Sequence, residues 1–553
     1  LPNKQIPSIG TFDFNKAEWS KVSEELKGLL TGESINGAEN IDQAYEIIVN
    51  GVVEACQRAG VPLKKRPRKQ NIPRDRKRLF EKRRLLKRKE NNPKLSDRHV
   101  SEVKRKLCLV EKALADSYVR ERREVEEKAI ESIKTNSKYF FKYANKKSKV
   151  REIIGPLNTD SEGIASEPKD VAETLNLQYK KAFSQPKLES VVDNVEEFFG
   201  SESSALNGIE FTIEDVKEAM KSFRQDASPG PDFFPAAVLK NCSESLSEPL
   251  FHLFRRSLNS GQICSIFKEA IITPLYKGGD RAKPGNYRPV ALTSHVGKCL
   301  EKVVRKHLVR FLEENNLMNP SQHGFRGGRS TVSQLIEHIE SVIEGLEEGG
   351  NVDVVYLDFS KAFDKVDHGV LLHEIRRLGI GGKLGTWLHS FLTGRTQKVS
   401  VEKVLSDACK VVSGVPQGTV LGPILFLIML RTIDEGILYS IVGSFADDSK
   451  ILKPIQDVED TNKMQTDLTA VYEWAKDVNM ELNGNKFQLL RYGPIQNLKD
   501  STKYKDTSGE DICEEKSAKN LGIVLSSDGK YDLHTSKVVT KSRQMCGWIF
   551  RTF

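Results

Sequence analysis

Two short strand-like runs end in carboxylates, and they limit what this chain can fold into. The first is Asn351-Val352-Asp353-Val354-Val355-Tyr356-Leu357-Asp358. Its β-branched and aromatic residues give it strand character, and it closes on an acid. The second is Tyr439-Ser440-Ile441-Val442-Gly443-Ser444-Phe445-Ala446-Asp447-Asp448, continued by Ser449-Lys450-Ile451-Leu452. It reads as strand, tight turn and strand, with two adjacent acids at the tip. Asp is a common turn residue, so the Asp-Asp pair alone is a weak signal. Three carboxylates at two strand ends say more. Mg²⁺ takes oxygen ligands from one or two carboxylates plus substrate phosphates. Two such ions roughly 3.5–4 Å apart can activate a 3′-hydroxyl and stabilise a leaving pyrophosphate. Phosphoryl transfer of this kind asks the protein for positioning and charge neutralisation rather than covalent chemistry.

The rest of the chain frames that constellation. At 553 residues it should divide into about two to four domains or subdomains. No apolar run approaches the roughly 18 residues of a membrane span. The most apolar stretch, Gly422 to Leu430, reads as a buried helix. The eight cysteines form no Cys-x-x-Cys pair and no zinc-like cluster, which points to free, mostly buried thiols in a reducing compartment. There is no secretory signal, and a chain that begins at Leu1 reads as a fragment or a processed piece.

The net charge of +9 is concentrated. From Val61 to Glu90 fifteen Lys and Arg stand against three Asp and Glu, a local balance of +12 that leaves the remainder at −3. Such a segment suits the gripping of a polyanion, although a solvated helix or a nuclear-import signal has the same composition. Residues 76–150, rich in Lys, Arg and Glu with interspersed Leu, predict long, partly exposed helices. Their end, Ser137-Lys138-Tyr139-Phe140-Phe141-Lys142-Tyr143, mixes cations with aromatics, as backbone contact plus stacking on a nucleic acid would need, or as docking on a neighbouring domain would. From about residue 210 strand-like runs and helices alternate, with glycines at the joins.

Over roughly residues 210–530 the chain resembles the reverse transcriptases of LINE-type, non-LTR retrotransposons, the jockey-like group in particular. The blocks that carry the resemblance occur in order. Ala227-Ser228-Pro229-Gly230-Pro231-Asp232 looks like the entry to the fingers. Ile272-Thr273-Pro274-Leu275-Tyr276-Lys277, then Asn286-Tyr287-Arg288-Pro289-Val290, look like a hairpin over the incoming nucleotide. The resemblance implies that Lys277 and Arg288 meet its phosphates, as cations over a triphosphate would. Gln322-His323-Gly324-Phe325-Arg326-Gly327-Gly328-Arg329-Ser330-Thr331 resembles a loop facing template or primer, which implies phosphate contacts for Arg326 and Arg329. His323 is expected to pack or cap.

In Tyr356-Leu357-Asp358-Phe359-Ser360-Lys361-Ala362-Phe363, Asp358 matches a metal ligand. Phe363 matches the residue under the sugar, where a ring would exclude a ribose 2′-hydroxyl. Asp364, Asp367 and His368 are left out of catalysis, with Asp367 as a helix cap. Ser413-Gly414-Val415-Pro416-Gln417-Gly418 brings Gln417 to nucleotide and template. The resemblance implies that Phe445-Ala446-Asp447-Asp448 supplies the remaining metal ligands, and that Lys486 of Leu482-Asn483-Gly484-Asn485-Lys486 lies near the pyrophosphate, where general-acid help suits it. Asn520-Leu521-Gly522-Ile523-Val524-Leu525 resembles a primer-supporting hairpin.

The resemblance implies an α+β right-hand polymerase: fingers, palm and a partial thumb, with a basic helical N-terminal extension. The expected divisions are 1–60, a linker following an absent endonuclease; 61–150, the basic extension; 151–209, a helical connector; 210–350, fingers; 351–495, palm; and 496–553, primer grip and truncated thumb. It implies two Mg²⁺, an RNA template, a DNA primer, dNTP substrates, no membrane, and an endonuclease upstream in the full-length protein. It also implies action in the nucleus, with a further presence in the cytoplasm alongside element RNA. One departure stands out: Arg431-Thr432 occupies the place of a usual Asn-Asp pair, a neutral change or a mark of decay. An intron-encoded reverse transcriptase and a decayed relic that only binds nucleic acid are the rival readings.

Overall fold

In the computed structural model the described residues are 8–64, 72–92, 95–134, 137–147, 154–160, 163–187, 194–200 and 204–552. The chain divides into two compact units, Leu1–Leu63 with Ile154–Val538, and Lys64–Ile153 with Val539–Phe553.

Thirteen strands are present among the described residues: β1 (Leu157–Asn158), β2 (Ile164–Ala165), β3 (Glu269–Tyr276), β4 (Tyr287–Leu292), β5 (Asn351–Leu357), β6 (Arg395–Val401), β7 (Val404–Leu405), β8 (Cys409–Val411), β9 (Ile441–Phe445), β10 (Asp448–Ile455), β11 (Gln488–Tyr492), β12 (Ser517–Asn520) and β13 (Ile523–Ser526). All lie in the first unit. Two sheets matter for the site. One is an antiparallel sheet of four strands in the order β11-β5-β10-β9. The other runs β4-β3-β6-β7, with β8 also on β6. β1 with β2 and β12 with β13 form two-stranded ribbons.

β5 is the centre of the four-stranded sheet, and almost all of it is buried. A strand covered on both faces reads as a continuous apolar run, as Val352 to Leu357 largely does. Its alternate side chains feed two cores. Val352 and Val354 pack with Leu452 and Leu490. Val355 and Leu357 join the large core, with Ile424, Phe426 and Ile451. Asp353 is buried in the same strand but is spoken for. Tyr504 donates to it at 2.8 Å and Arg491 lies 3.5 Å away.

The helix Gly422–Met429 is buried throughout except at Pro423, as its unbroken apolar sequence requires. Residues 8–63 hold helices at Trp19–Leu29 and Ile41–Arg58, with shorter helical turns around them. The helices Trp19–Leu29 and Ile41–Arg58 are amphipathic, and Val22, Leu26, Ile48 and Val52 share one core with Leu250 and Phe254 of the helix Ser243–Ser260. An apolar stripe of that width gains more by burial than by exposure, at about 25 cal/mol per Å².

The second unit holds the basic helix Arg74–Glu90, the charge-balanced helix Asp97–Glu131 and the helix Ser137–Lys147. The first two pack through Leu86, Val110 and Leu114. Arg76 is buried between them, paired with Glu121 at 2.7 Å and set over the Tyr118 ring. Most of the other cations of Arg74–Glu90 face outward. Part of the basic run, residues 65–71, lies outside the described residues, as do the side chains of Ser137 and Lys138. Among the described residues no helix is long and apolar enough to cross a membrane. All eight cysteines are free, but only Cys56, Cys242, Cys264 and Cys299 are buried, so the thiols are half rather than mostly buried.

Candidate active site

The second acidic run folds as a hairpin. β9 and β10 pair from Leu452↔Ile441 up to Asp448↔Phe445, leaving Ala446 and Asp447 as a two-residue turn. Such turns need left-handed backbone, and here Ala446 adopts φ 55°. An alanine held there costs roughly 1–3 kcal/mol and persists only when its surroundings fix it. β10 also pairs with β5, with Ser449 opposite Leu357, which sets Asp358 beside the tip of the hairpin.

Asp447 and Asp358 line one cavity of about 630 Å³, together with Lys277, Arg288, Phe363, Gln417 and Lys486. Asp448 lines a neighbouring cavity of about 140 Å³ that it shares with Asp358 and Lys486. Asp447 and Asp448 therefore border different spaces, and Asp358 borders both. Among the described residues no three His, Cys, Asp or Glu side chains converge into a ready-made metal cage. Asp358 and Asp447 thus border the larger cavity, and Asp358 and Asp448 the smaller one.

The electrostatics favour a cation. Burial pushes the Asp447 carboxyl above its usual range and Asp358 adds to this, while Arg288 opposes it. Asp448 is raised by burial and then by Asp447 and Asp358, against Lys519 and Lys450. Carboxylates that repel one another near a cavity are a common sign of a binding site for positive charge.

The other residues reach the cavity for local reasons. Lys277 and Arg288 are exposed on the β3–β4 hairpin, where Leu275 faces Arg288. The loop carrying Gln417 docks on that hairpin through Ala291 N–H to Gln417 C=O at 2.8 Å. Gly418 allows it: φ is 120°, and a Cβ would lie 2.4 Å from the Ala291 carbonyl oxygen. Gln417 Nε2 donates to Asp364 Oδ1 at 3.3 Å. Asp364 is raised to about 6 by burial, opposed by Lys361, Gln417 and Arg288. The Phe363 ring stacks on Phe426 at 4.2 Å and meets Phe325 edge-on at 6.3 Å, so it is both packed and cavity-lining. Lys486 arrives because residues 481–483 run beside 358–360, with Asn483 N–H to Asp358 C=O at 2.8 Å. Its Nζ then donates to Asp358 Oδ2 at 3.0 Å.

In the Gln322–Thr331 block both arginines make hydrogen bonds within the protein. The Arg326 side chain is 11% exposed and spans Glu313 with Nε at 3.1 Å and Nη2 at 2.6 Å, while Nη1 donates to the Asn319 carbonyl. A guanidinium so occupied shapes the loop and offers little to a phosphate. Arg329 donates to the Pro320 carbonyl. Neither arginine lines either cavity. His323 bridges Ser333 and Glu337, each at 2.9 Å. Asp367 caps the helix His368–Arg377 through Val370 N–H at 3.1 Å and also accepts from Lys187 and Asn479. Arg431 pairs with Glu374 at 3.2 Å and Thr432 accepts from Trp474 at 2.9 Å, so the unusual Arg-Thr pair is accommodated by its neighbours.

Residues 276–525 match the reverse transcriptase (RNA-dependent DNA polymerase) family. The chain is 27% identical over 364 residues to the RNA-directed DNA polymerase from mobile element jockey of Drosophila melanogaster, covering 63% of this chain and 39% of that protein. The protein of the same name in Drosophila funebris is 29% identical over 293 residues, 51% of this chain and 32% of that one. A protein of Drosophila melanogaster named probable RNA-directed DNA polymerase from transposon X-element is 26% identical over 534 residues, 92% of this chain and 57% of its own length. The chain thus spans between a third and three fifths of these relatives. Residues 276–525 are thus similar to the reverse transcriptase family, and between half and nine tenths of the chain is similar to proteins named as RNA-directed DNA polymerases, or probable ones, of mobile elements.

Proposed function

We propose that the chain is the RNA-directed DNA polymerase of a non-LTR retrotransposon, extending a DNA primer 3′-hydroxyl by deoxynucleoside monophosphates on an RNA template. One observation carries this reading: Asp358, Asp447, Lys277, Arg288, Phe363, Gln417 and Lys486, far apart in sequence, border a single cavity. In this reading the four-stranded sheet with its helices is the palm, the β3–β4 hairpin belongs to the fingers, and the helix Asp532–Thr552 opens the thumb.

The donor set fits Mg²⁺, because hard carboxylate oxygens from Asp358 and Asp447 leave room for phosphate and water ligands. Asp358 and Asp447 would hold the metal ions, with Asp448 supporting from the adjoining cavity. Bound there, two Mg²⁺ would neutralise charge on the attacking and leaving oxygens. Arg288 and Lys277 orient the triphosphate, and Gln417 fixes the nucleotide against the hairpin. The Phe363 ring bars a 2′-hydroxyl, and Lys486 Nζ is placed to give a proton to pyrophosphate. The basic helix Arg74–Glu90 of the second unit would follow the nucleic-acid backbone, which makes binding steeply salt-dependent. An endonuclease elsewhere in the full-length protein, nuclear action and a cytoplasmic stage with element RNA belong to the same reading.

Primer extension tests it. Purified chain with Mg²⁺, dNTPs and a DNA primer on RNA should give full-length product. Tight hybrid binding with no product would favour a relic that only binds nucleic acid.

A further inference from the structure

The Ala446–Asp447 turn has an internal clamp that lies outside the cavity. Gln322 is buried, at 4% exposure. Its Oε1 accepts the Ala446 N–H at 2.7 Å and the Gly324 N–H at 2.8 Å. Its Nε2 donates to the Ala446 carbonyl at 3.3 Å. One side-chain amide therefore holds both backbone groups of the residue that precedes Asp447. The loop bearing it is laid along β9, with His323 N–H to Ser444 C=O at 2.9 Å and Ser444 N–H to Ser321 C=O at 3.1 Å. The approach is close enough to require glycine: a Cβ on Gly324 would stand 2.4 Å from the Ala446 nitrogen.

We propose that Gln322 is a positioning residue for the polymerase reaction, setting the Asp447 carboxylate by clamping the left-handed Ala446 in the turn. The inference rests on the function proposed above. Gln322 lines neither cavity beside the carboxylates, so it acts through the turn rather than on substrate. The chemistry is specific to glutamine. Asparagine is a methylene short, glutamate cannot donate to the carbonyl when ionised, and methionine has the length with no comparable polar atoms. A shift of about 1 Å in a group that positions a reactive centre can cost roughly a hundredfold in rate.

The test uses the full chain with Gln322→Met and two readouts. Hydrogen exchange in a peptide covering residues 443–449 should accelerate roughly tenfold or more, because Ala446 N–H loses its acceptor. Single-turnover extension should slow by roughly tenfold or more, while the affinities for dNTP and hybrid stay within about threefold. A merely structural loss would lower affinity and rate together. Gln322→Glu keeps the two accepted bonds and loses the donated one. It should fall between wild type and Gln322→Met, and it carries the same readouts if the methionine variant does not fold. Unchanged exchange, or a rate within about twofold of wild type, overturns the clamp. A wild-type chain that extends no primer overturns the polymerase reading instead, and the exchange experiment still decides whether Gln322 holds the turn.

Discussion

Lys486 Nζ lies 3.0 Å from Asp358 Oδ2, joining the lysine that ends a 3₁₀ turn to the carboxylate just past the end of β5. Both side chains are well exposed, so the pair contributes no more than about 1 kcal/mol to stability. A weak pair at a cavity mouth exchanges easily when a cation takes the carboxylate and a phosphate takes the lysine. Lys486→Ala should slow extension by roughly a hundredfold, the range of general-acid assistance. The melting temperature should barely move. Full activity in steady-state extension would remove Lys486 from the chemistry.

Arg326 makes the opposite prediction. Its guanidinium is committed to Glu313 and the Asn319 carbonyl. Arg326→Ala should destabilise the chain by about 1–3 kcal/mol while leaving the salt dependence of hybrid binding unchanged. Thermal melts and binding titrations at several salt concentrations separate these effects. A shallower salt slope with unchanged stability would restore the phosphate role.

Phe363 is wedged between Phe426 and Phe325, so truncation to alanine would also cost packing. Phe363→Val retains bulk at Cβ and opens space at the ring. The ratio of kcat/KM for dNTP over rNTP should drop by roughly tenfold or more. An unchanged ratio would refute the sugar gate.

Asp364 gives a pH signature. Its carboxyl titrates near 6 in the folded chain, because of burial, and near about 3.9 when unfolded. The stability it confers is therefore fully present below about pH 4 and is lost as pH rises through about 6, to a limit of about 3 kcal/mol. Asp364→Asn should melt higher than wild type at pH 7.5, and the gap should close toward pH 5. The same gap at both pH values would contradict the raised carboxyl.

Much of the site was legible because its signals are local. A β-branched run closing on Asp358, and a strand-turn-strand ending in Asp447-Asp448, carry their structure in adjacent residues. What escaped depends on partners distant in sequence. Nothing around Gln322 signals that its amide meets Ala446, 124 residues on. Nor does the loop sequence around Arg326 announce its pairing with Glu313. An amphipathic helix such as Ile41–Arg58 does not name the face it buries against; here that is the core containing Leu250 and Phe254.

The central claim is that Asp447 serves the chemistry and not the fold. Asp447→Asn preserves shape and removes the charge that would hold a metal ion. Single-turnover extension by this variant with Mg²⁺ should fall by about a thousandfold or more, with hybrid affinity and melting temperature close to wild type. Extension within about tenfold of wild type would contradict the account.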